Sequence, residues 1–131
     1  NTGARLHLVE PLGFTLEEKL LRRAALDYRD FASVEVHPNF QSLKAGAGQA
    51  RFIAVSTKAT IRYDQFQFED NDFLTFGPET RGLPEALLFS DAFAASITIP
   101  MRPDSRSINL SNAAAIVLFE AFRQQDFASF H

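Results

Sequence analysis

Two segments crowd together side chains of types that suit chemistry. The first, residues 76–84, reads Phe-Gly-Pro-Glu-Thr-Arg-Gly-Leu-Pro. Gly77 and Gly82 allow close backbone approach to a ligand, Pro78 and Pro84 stiffen the connection, and Glu79 and Arg81 set opposite charges beside it. A plain structural turn would need only part of that set. The second, residues 99–112, reads Ile-Pro-Met-Arg-Pro-Asp-Ser-Arg-Ser-Ile-Asn-Leu-Ser-Asn. Hydroxyls, carboxamides and backbone amides collect there around the start of a helix, a donor and acceptor set able to hold a nucleoside and an amino acid. Ser and Asn are also the usual helix caps, but one or two of them would meet that need.

Other candidates are weaker. Gly46-Ala47-Gly48 precedes a strand, whereas a dinucleotide fingerprint must follow one and open a helix, so it reads as a surface turn. His7, His37 and His131 lie far apart and lack ligand or triad spacing, so no metal is expected. The absence of cysteine excludes disulfides, thiolate metal sites and a cysteine nucleophile. With 13 basic against 16 acidic residues the net charge is −3, so any contact with nucleic acid must be local and not a bulk-charge effect. The 14 phenylalanines are expected to fill core and interfaces. No apolar run approaches the length of a membrane span and no signal peptide is visible, so a cytoplasmic location is the expectation.

The elements that must position these segments follow from periodicity. A strand is predicted at residues 5–10, and Thr15 with Glu18 forms a capping box opening a helix to about Asp30. A short strand at 33–37, a brief helix at 40–44 and a small-residue loop at 45–49 come next. Further strands are predicted at 51–56, 72–76 and 96–99, with a short helix at 83–89 and a last helix from 109–111 to about Gln125. Apolar strands alternating with helices give the α/β class, a largely parallel sheet with helices on both faces, in one domain spanning 1–131. Ligands of such sheets bind beyond the carboxyl ends of the strands, which selects residues 57–60, 77–84 and 100–109. The last helix carries Ala113, Ala114 and Ala115 beside Ile116, Val117, Leu118 and Phe119, so more than one of its sides should be buried.

Taken together, residues 76–84 and 99–124 resemble motifs two and three of the SPOUT RNA methyltransferases, more narrowly the TrmL (YibK) type. Leu6-His7-Leu8-Val9-Glu10-Pro11-Leu12-Gly13-Phe14, residues 21–28 and Ser56-Thr57-Lys58 occur in the matching order, so the resemblance covers nearly the whole chain. It implies a C-terminal trefoil knot, S-adenosylmethionine as cofactor with S-adenosylhomocysteine as product, and a homodimer formed through the C-terminal helix. The implied activity is 2′-O-methylation of the wobble ribose, on cytidine or a modified uridine, in leucine tRNAs. A ribose methyltransferase for another RNA site and a catalytically silent cofactor- or RNA-binding module are the alternatives.

Carried over by motif, the resemblance assigns cofactor contacts to Val55, Gly77, Ile99, Met101, Ser107 and Leu110. Glu79, Ser107 and Asn109 would position the cofactor and ribose, and Arg81, Arg102 and Arg106 would meet RNA phosphate or a carboxylate through their planar donor forks. The family also carries an earlier Asn-Thr-Gly-Asn-x-x-Arg motif whose arginine is the proposed base. Here Asn1-Thr2-Gly3 is followed by Ala4 and Arg5 and matches a later Asn-Thr-Gly of the family. The expectation is therefore a domain incomplete at its N-terminus, with the base in the preceding segment, and weak or absent turnover by the 131-residue chain alone.

Overall fold

A computed structural model describes residues 4–9, 34–77, 82–105 and 108–130. Contacts divide the chain into two compact units, Asn1–Gln49 and Ala50–His131. Every strand pairing among the described residues is parallel, as the apolar strand runs led us to expect.

In the first unit, β1 (Leu6–Val9) and β2 (Val34–His37) form a two-stranded parallel pair, with Leu6 opposite Val34 and His7 opposite Glu35. Helix α1 (Phe40–Gly46) follows β2 and buries Leu43. It starts where Asn39 accepts a hydrogen bond from the Ser42 amide at 2.8 Å, and Lys44 sits in the last turn, where a cation favours the helix dipole. Beyond it Gly48 adopts φ +65°, so the Gly46-Ala47-Gly48 segment is the turn that ends a helix. The helix predicted from the Thr15 capping box lies outside the described residues.

The wide separation of His7 and His37 needs correction. Spacing along the chain says nothing about distance once two strands pair, and the β1–β2 register brings the rings to 2.9 Å between Nδ1 of His7 and Nε2 of His37. Burial lowers the pKa of His7, with Glu35 pulling the other way.

In the second unit, β3 (Phe52–Val55), β4 (Ile61–Arg62), β5 (Phe73–Phe76) and β6 (Ala95–Thr98) form a sheet in the order β4-β6-β3-β5. Strand β3 is flanked on both edges, and Phe52, Ile53 and Ala54 are buried as the unbroken apolar run requires. Helix α2 (Glu85–Leu88) precedes β6, and α3 (Leu110–Gln124) follows it. Ile53, Phe68, Ile97 and Val117 make the core, with Val55, Leu74, Phe76 and Ile99 packed around it.

Arg51 fastens the amino ends of β3 and its neighbour β5. Its Nε and Nη2 bond both carboxylate oxygens of Asp72 at 2.9 and 2.7 Å, while Nη1 reaches Glu69 at 2.9 Å. This paired geometry is the strong form of an arginine–carboxylate contact, and its Asp72 side is shielded from water, with the side chain 4% exposed. Ordering one end of β3 and β5 this way leaves the opposite, carboxyl end to carry the loops. Among the described residues, no helix is long and apolar enough to cross a membrane.

Candidate functional site at the carboxyl ends of the strands

Parallel pairing sets the level at which each strand stops. Val55 lies opposite Phe76 on one side and Ile97 on the other, so β3, β5 and β6 end on nearly the same rung. The chain leaves β3 at Ser56, β5 at Gly77 and β6 at Ile99, all on one edge of the sheet. Three of the residues assigned to cofactor contact, Val55, Gly77 and Ile99, are thereby brought together. The side chains of Val55 and Ile99 pack toward the core, which leaves their backbone groups as the polar surface facing the loops.

The loop after β3 turns tightly. The Ser56 amide donates to the Ile97 carbonyl at 3.0 Å, and the Ser56 hydroxyl accepts from the Lys58 amide at 3.1 Å. That fold aims Lys58 at helix α2, where its Nζ meets Glu85 at 2.9 Å. The ammonium lowers the Glu85 pKa below the usual carboxylate value. The ion pair thus ties the loop after β3 to the far end of the segment that begins at Gly77.

Gly77 is the tightest point. A side-chain carbon built there would collide with the backbone of Gly82 and Leu83, so the loop returns across its own start with no room for a methyl group. Gly82 has open space around it and needs glycine for its φ of +68°. Leu83 is buried and anchors the return. Glu79 and Arg81, the charged pair of this segment, lie outside the described residues, as do Arg106 and Ser107.

After β6 the chain passes Met101, half-buried, and Arg102, exposed, into a turn closed by the Ser105 amide on the Arg102 carbonyl at 3.2 Å. Asp104 takes a φ of +65° in that turn. Asn109 caps α3: its Oδ1 accepts from the Ser111 amide at 2.9 Å, the Ser111 hydroxyl at 2.6 Å and the Asn112 amide at 3.5 Å. One polar residue therefore meets the capping need, and its amide oxygen is engaged within the helix start. Leu110 is half-buried in the first turn.

Sequence reasoning overlooked Lys58 as a partner of Glu85; the only signal was a cation in a loop at a strand's carboxyl end. It also overlooked Gln124, whose side-chain amide reaches the segment at Phe66 and Phe68, which carried no motif.

Comparison with known proteins agrees with this geometry. The SpoU rRNA Methylase family matches residues 1–119. A tRNA (cytidine(34)-2'-O)-methyltransferase of Methylovorus glucosotrophus is 48% identical over 128 residues, which span 98% of this chain and 83% of the relative. The enzyme of the same name from Escherichia coli K12 is 47% identical over 124 residues, spanning 95% of this chain and 79% of its own. A solved structure described for the 2-OH methylation of C/U34 on tRNA has a TM-score of 0.81 at 37% identity, covering 93% of this chain and 79% of its own. The fold, the strand-end loops and these relatives agree that the chain belongs to the SpoU rRNA methylase family.

Proposed function

We propose that this chain carries the methyl-transfer domain of a cytoplasmic tRNA ribose 2′-O-methyltransferase. It modifies the wobble nucleotide, cytidine or a modified uridine, of leucine tRNAs, with S-adenosylmethionine as the methyl donor. The observation that carries the reading is the gathering of Ser56, Gly77 and Ile99 on one edge of a parallel sheet. Relatives named for cytidine-34 2′-O-methylation, about half identical to this chain over nearly its whole length, support it.

The residues at this edge fit the donor. Gly77 offers backbone without a side chain, Ile99 offers its backbone groups, and half-buried Met101 and Leu110 supply apolar surface for an adenine ring. Ser107 adds a hydroxyl in the same stretch. When bound, the donor supplies an electrophilic methyl group on sulfur. The chain's part would be to hold the ribose oxygen in line with that methyl group and to let the hydroxyl proton pass to a base. Asn109, whose oxygen caps α3, keeps its amide nitrogen as a donor toward the ribose, and Glu79 and Ser107 complete the positioning. Holding the oxygen in line can contribute up to about 7–11 kcal/mol of barrier reduction. Arg81, Arg102 and Arg106 hold phosphate. By the resemblance, the proton acceptor would be an arginine of the first family motif.

A homodimer through the C-terminal helix belongs to the same proposal, as does the knot implied by the resemblance. Phe119 is 45% exposed and Phe130 42% exposed, and their rings lie 6.2 Å apart on a face that a second copy would cover.

The test takes the full reading frame containing this sequence, leucine tRNA and S-adenosylmethionine, followed by nucleoside digestion. A 2′-O-methylated nucleoside at position 34 is the expected product. Methylation of ribosomal RNA with none on tRNA would replace the substrate. Saturable S-adenosylhomocysteine binding without methylation of any RNA would leave only the silent binding module.

A further inference from the structure

We propose that His7, Glu35 and His37 form a binding site for a divalent transition-metal ion of the zinc class on the β1–β2 pair. The register and the two-residue period of strands put these side chains on one face. His7 stands directly opposite Glu35, and His37 lies two residues farther along the same strand. Nδ1 of His7 is 2.9 Å from Nε2 of His37 and 3.1 Å from a carboxylate oxygen of Glu35, and the three atoms lie within 4.8 Å of one another.

A carboxylate only accepts hydrogen bonds, so the tautomer with its proton on His7 Nδ1 is the one that serves both neighbouring atoms. Three potential ligand atoms therefore converge where a single proton now lies. A zinc ion with bonds of about 2.0–2.1 Å sets neighbouring ligand atoms roughly 3.3 Å apart. Two of the spacings need open by only a few tenths of an ångström. The third closes by rotation of Glu35, whose side chain is 53% exposed and can swing toward His37. On metal binding the shared proton moves to the other ring nitrogen of His7 or to solvent.

The donor set defines the class of ion. Two imidazoles with one carboxylate suit zinc, cobalt and nickel, whereas magnesium and calcium require mostly oxygen ligands. The His7 side chain is 17% exposed, so part of the site is shielded from water, while the Glu35 side leaves a coordination position open to it. An ion there would bridge strands whose residues are 30 positions apart and stabilise their pairing by mass action. The competing reading is a self-contained hydrogen-bonded cluster with no affinity for metal.

Calorimetric titration of the metal-free 131-residue chain with zinc chloride, repeated with cobalt chloride under visible absorption, decides between them. Expected are one ion per chain, a four- or five-coordinate cobalt spectrum, and no response to magnesium. Glu35→Gln and His37→Gln should each weaken binding by more than about tenfold, while His131→Gln leaves it unchanged. Circular dichroism checks that each variant folds. In the unsubstituted chain, zinc should shift the imidazole proton resonances of His7 and His37 and spare those of His131. Absence of saturable zinc binding, or resonance shifts confined to His131, would overturn the proposal.

Discussion

Gln124 completes the hydrogen bonding of a segment more than fifty residues away: its Nε2 donates to the Phe66 carbonyl at 2.7 Å, and its Oε1 accepts from the Phe68 amide at 2.9 Å. One side-chain amide thus does for this segment what a neighbouring strand would do, and Phe68 enters the core as a result. Replacing Gln124 by Ala leaves a part-buried donor and acceptor without these bonds. The expected loss is about 1–3 kcal/mol of unfolding free energy. Urea denaturation should show a lower midpoint with an unchanged slope.

Glu120 extends the same network. It accepts from Arg123 Nε and Nη2, both at 2.8 Å, and from Gln124, and its side chain is 9% exposed. The Arg123 hydrogen bond is the main reason its pKa is lowered, with burial and Asp64 opposing it. A carboxylate whose pKa is lower folded than unfolded lends stability that is complete above the unfolded value, about 4.3. That stability is lost as pH falls through the lowered folded value. Glu120→Gln should therefore flatten the acid limb of the stability profile below about pH 4.3, which thermal melts across the acid range would show.

Gly77 offers a sharper test of the strand-end loops. Gly77→Ala drives a methyl group into the backbone of Gly82 and Leu83, and backbone cannot swing aside as a side chain can. Strain of about 1–3 kcal/mol is expected at the loop, which should weaken the proposed binding of S-adenosylhomocysteine by roughly five- to 150-fold in a calorimetric titration. Gly82→Ala meets open space and costs only its positive φ. A smaller effect there would separate closeness of approach from backbone conformation.

Much of this was legible in the sequence, for identifiable reasons. The run at 52–55 announced a strand flanked on both sides, Gly77-Pro78 announced where β5 stops, and Asn109 announced the start of α3. What escaped depends on partners distant along the chain. Ile61–Arg62 is too short to show a period, and it is a strand because Ile61 pairs with Ile97. The approach of His7 to His37 is likewise a consequence of register. The apolar circumference of α3 was legible, but within one chain only Val117 is fully buried, and Phe119 faces outward.

That outward face gives a prediction about assembly. Phe119 packs edge-on against Phe122 at 6.1 Å and near Phe130, with 45% of its surface exposed. A glutamate there costs the single chain little but would bury an unpaired charge in an interface, which is strongly unfavourable. If α3 forms the dimer face, Phe119→Glu should shift sedimentation from dimer to monomer while far-ultraviolet circular dichroism stays the same. A dimer that survives the substitution would move the interface elsewhere.

Asn109 caps α3 and is proposed to donate to the ribose, and two substitutions separate the two roles. Its oxygen caps α3 through the amides of Ser111 and Asn112, and its amide nitrogen is the proposed donor to the ribose. Asn109→Ala removes both, with an expected stability loss of about 1 kcal/mol. Asn109→Asp keeps the capping oxygen and adds a negative charge at the positive end of the helix, so stability should hold or rise slightly. The same change removes the proposed donor and, with the ribose bound as proposed, sets a charge beside its oxygen. In the full-length enzyme it should therefore leave the melting temperature intact, leave S-adenosylhomocysteine affinity nearly intact, and lower the methylation rate of saturating tRNA. Equal activity in Asn109→Asp and the parent would confine Asn109 to capping the helix.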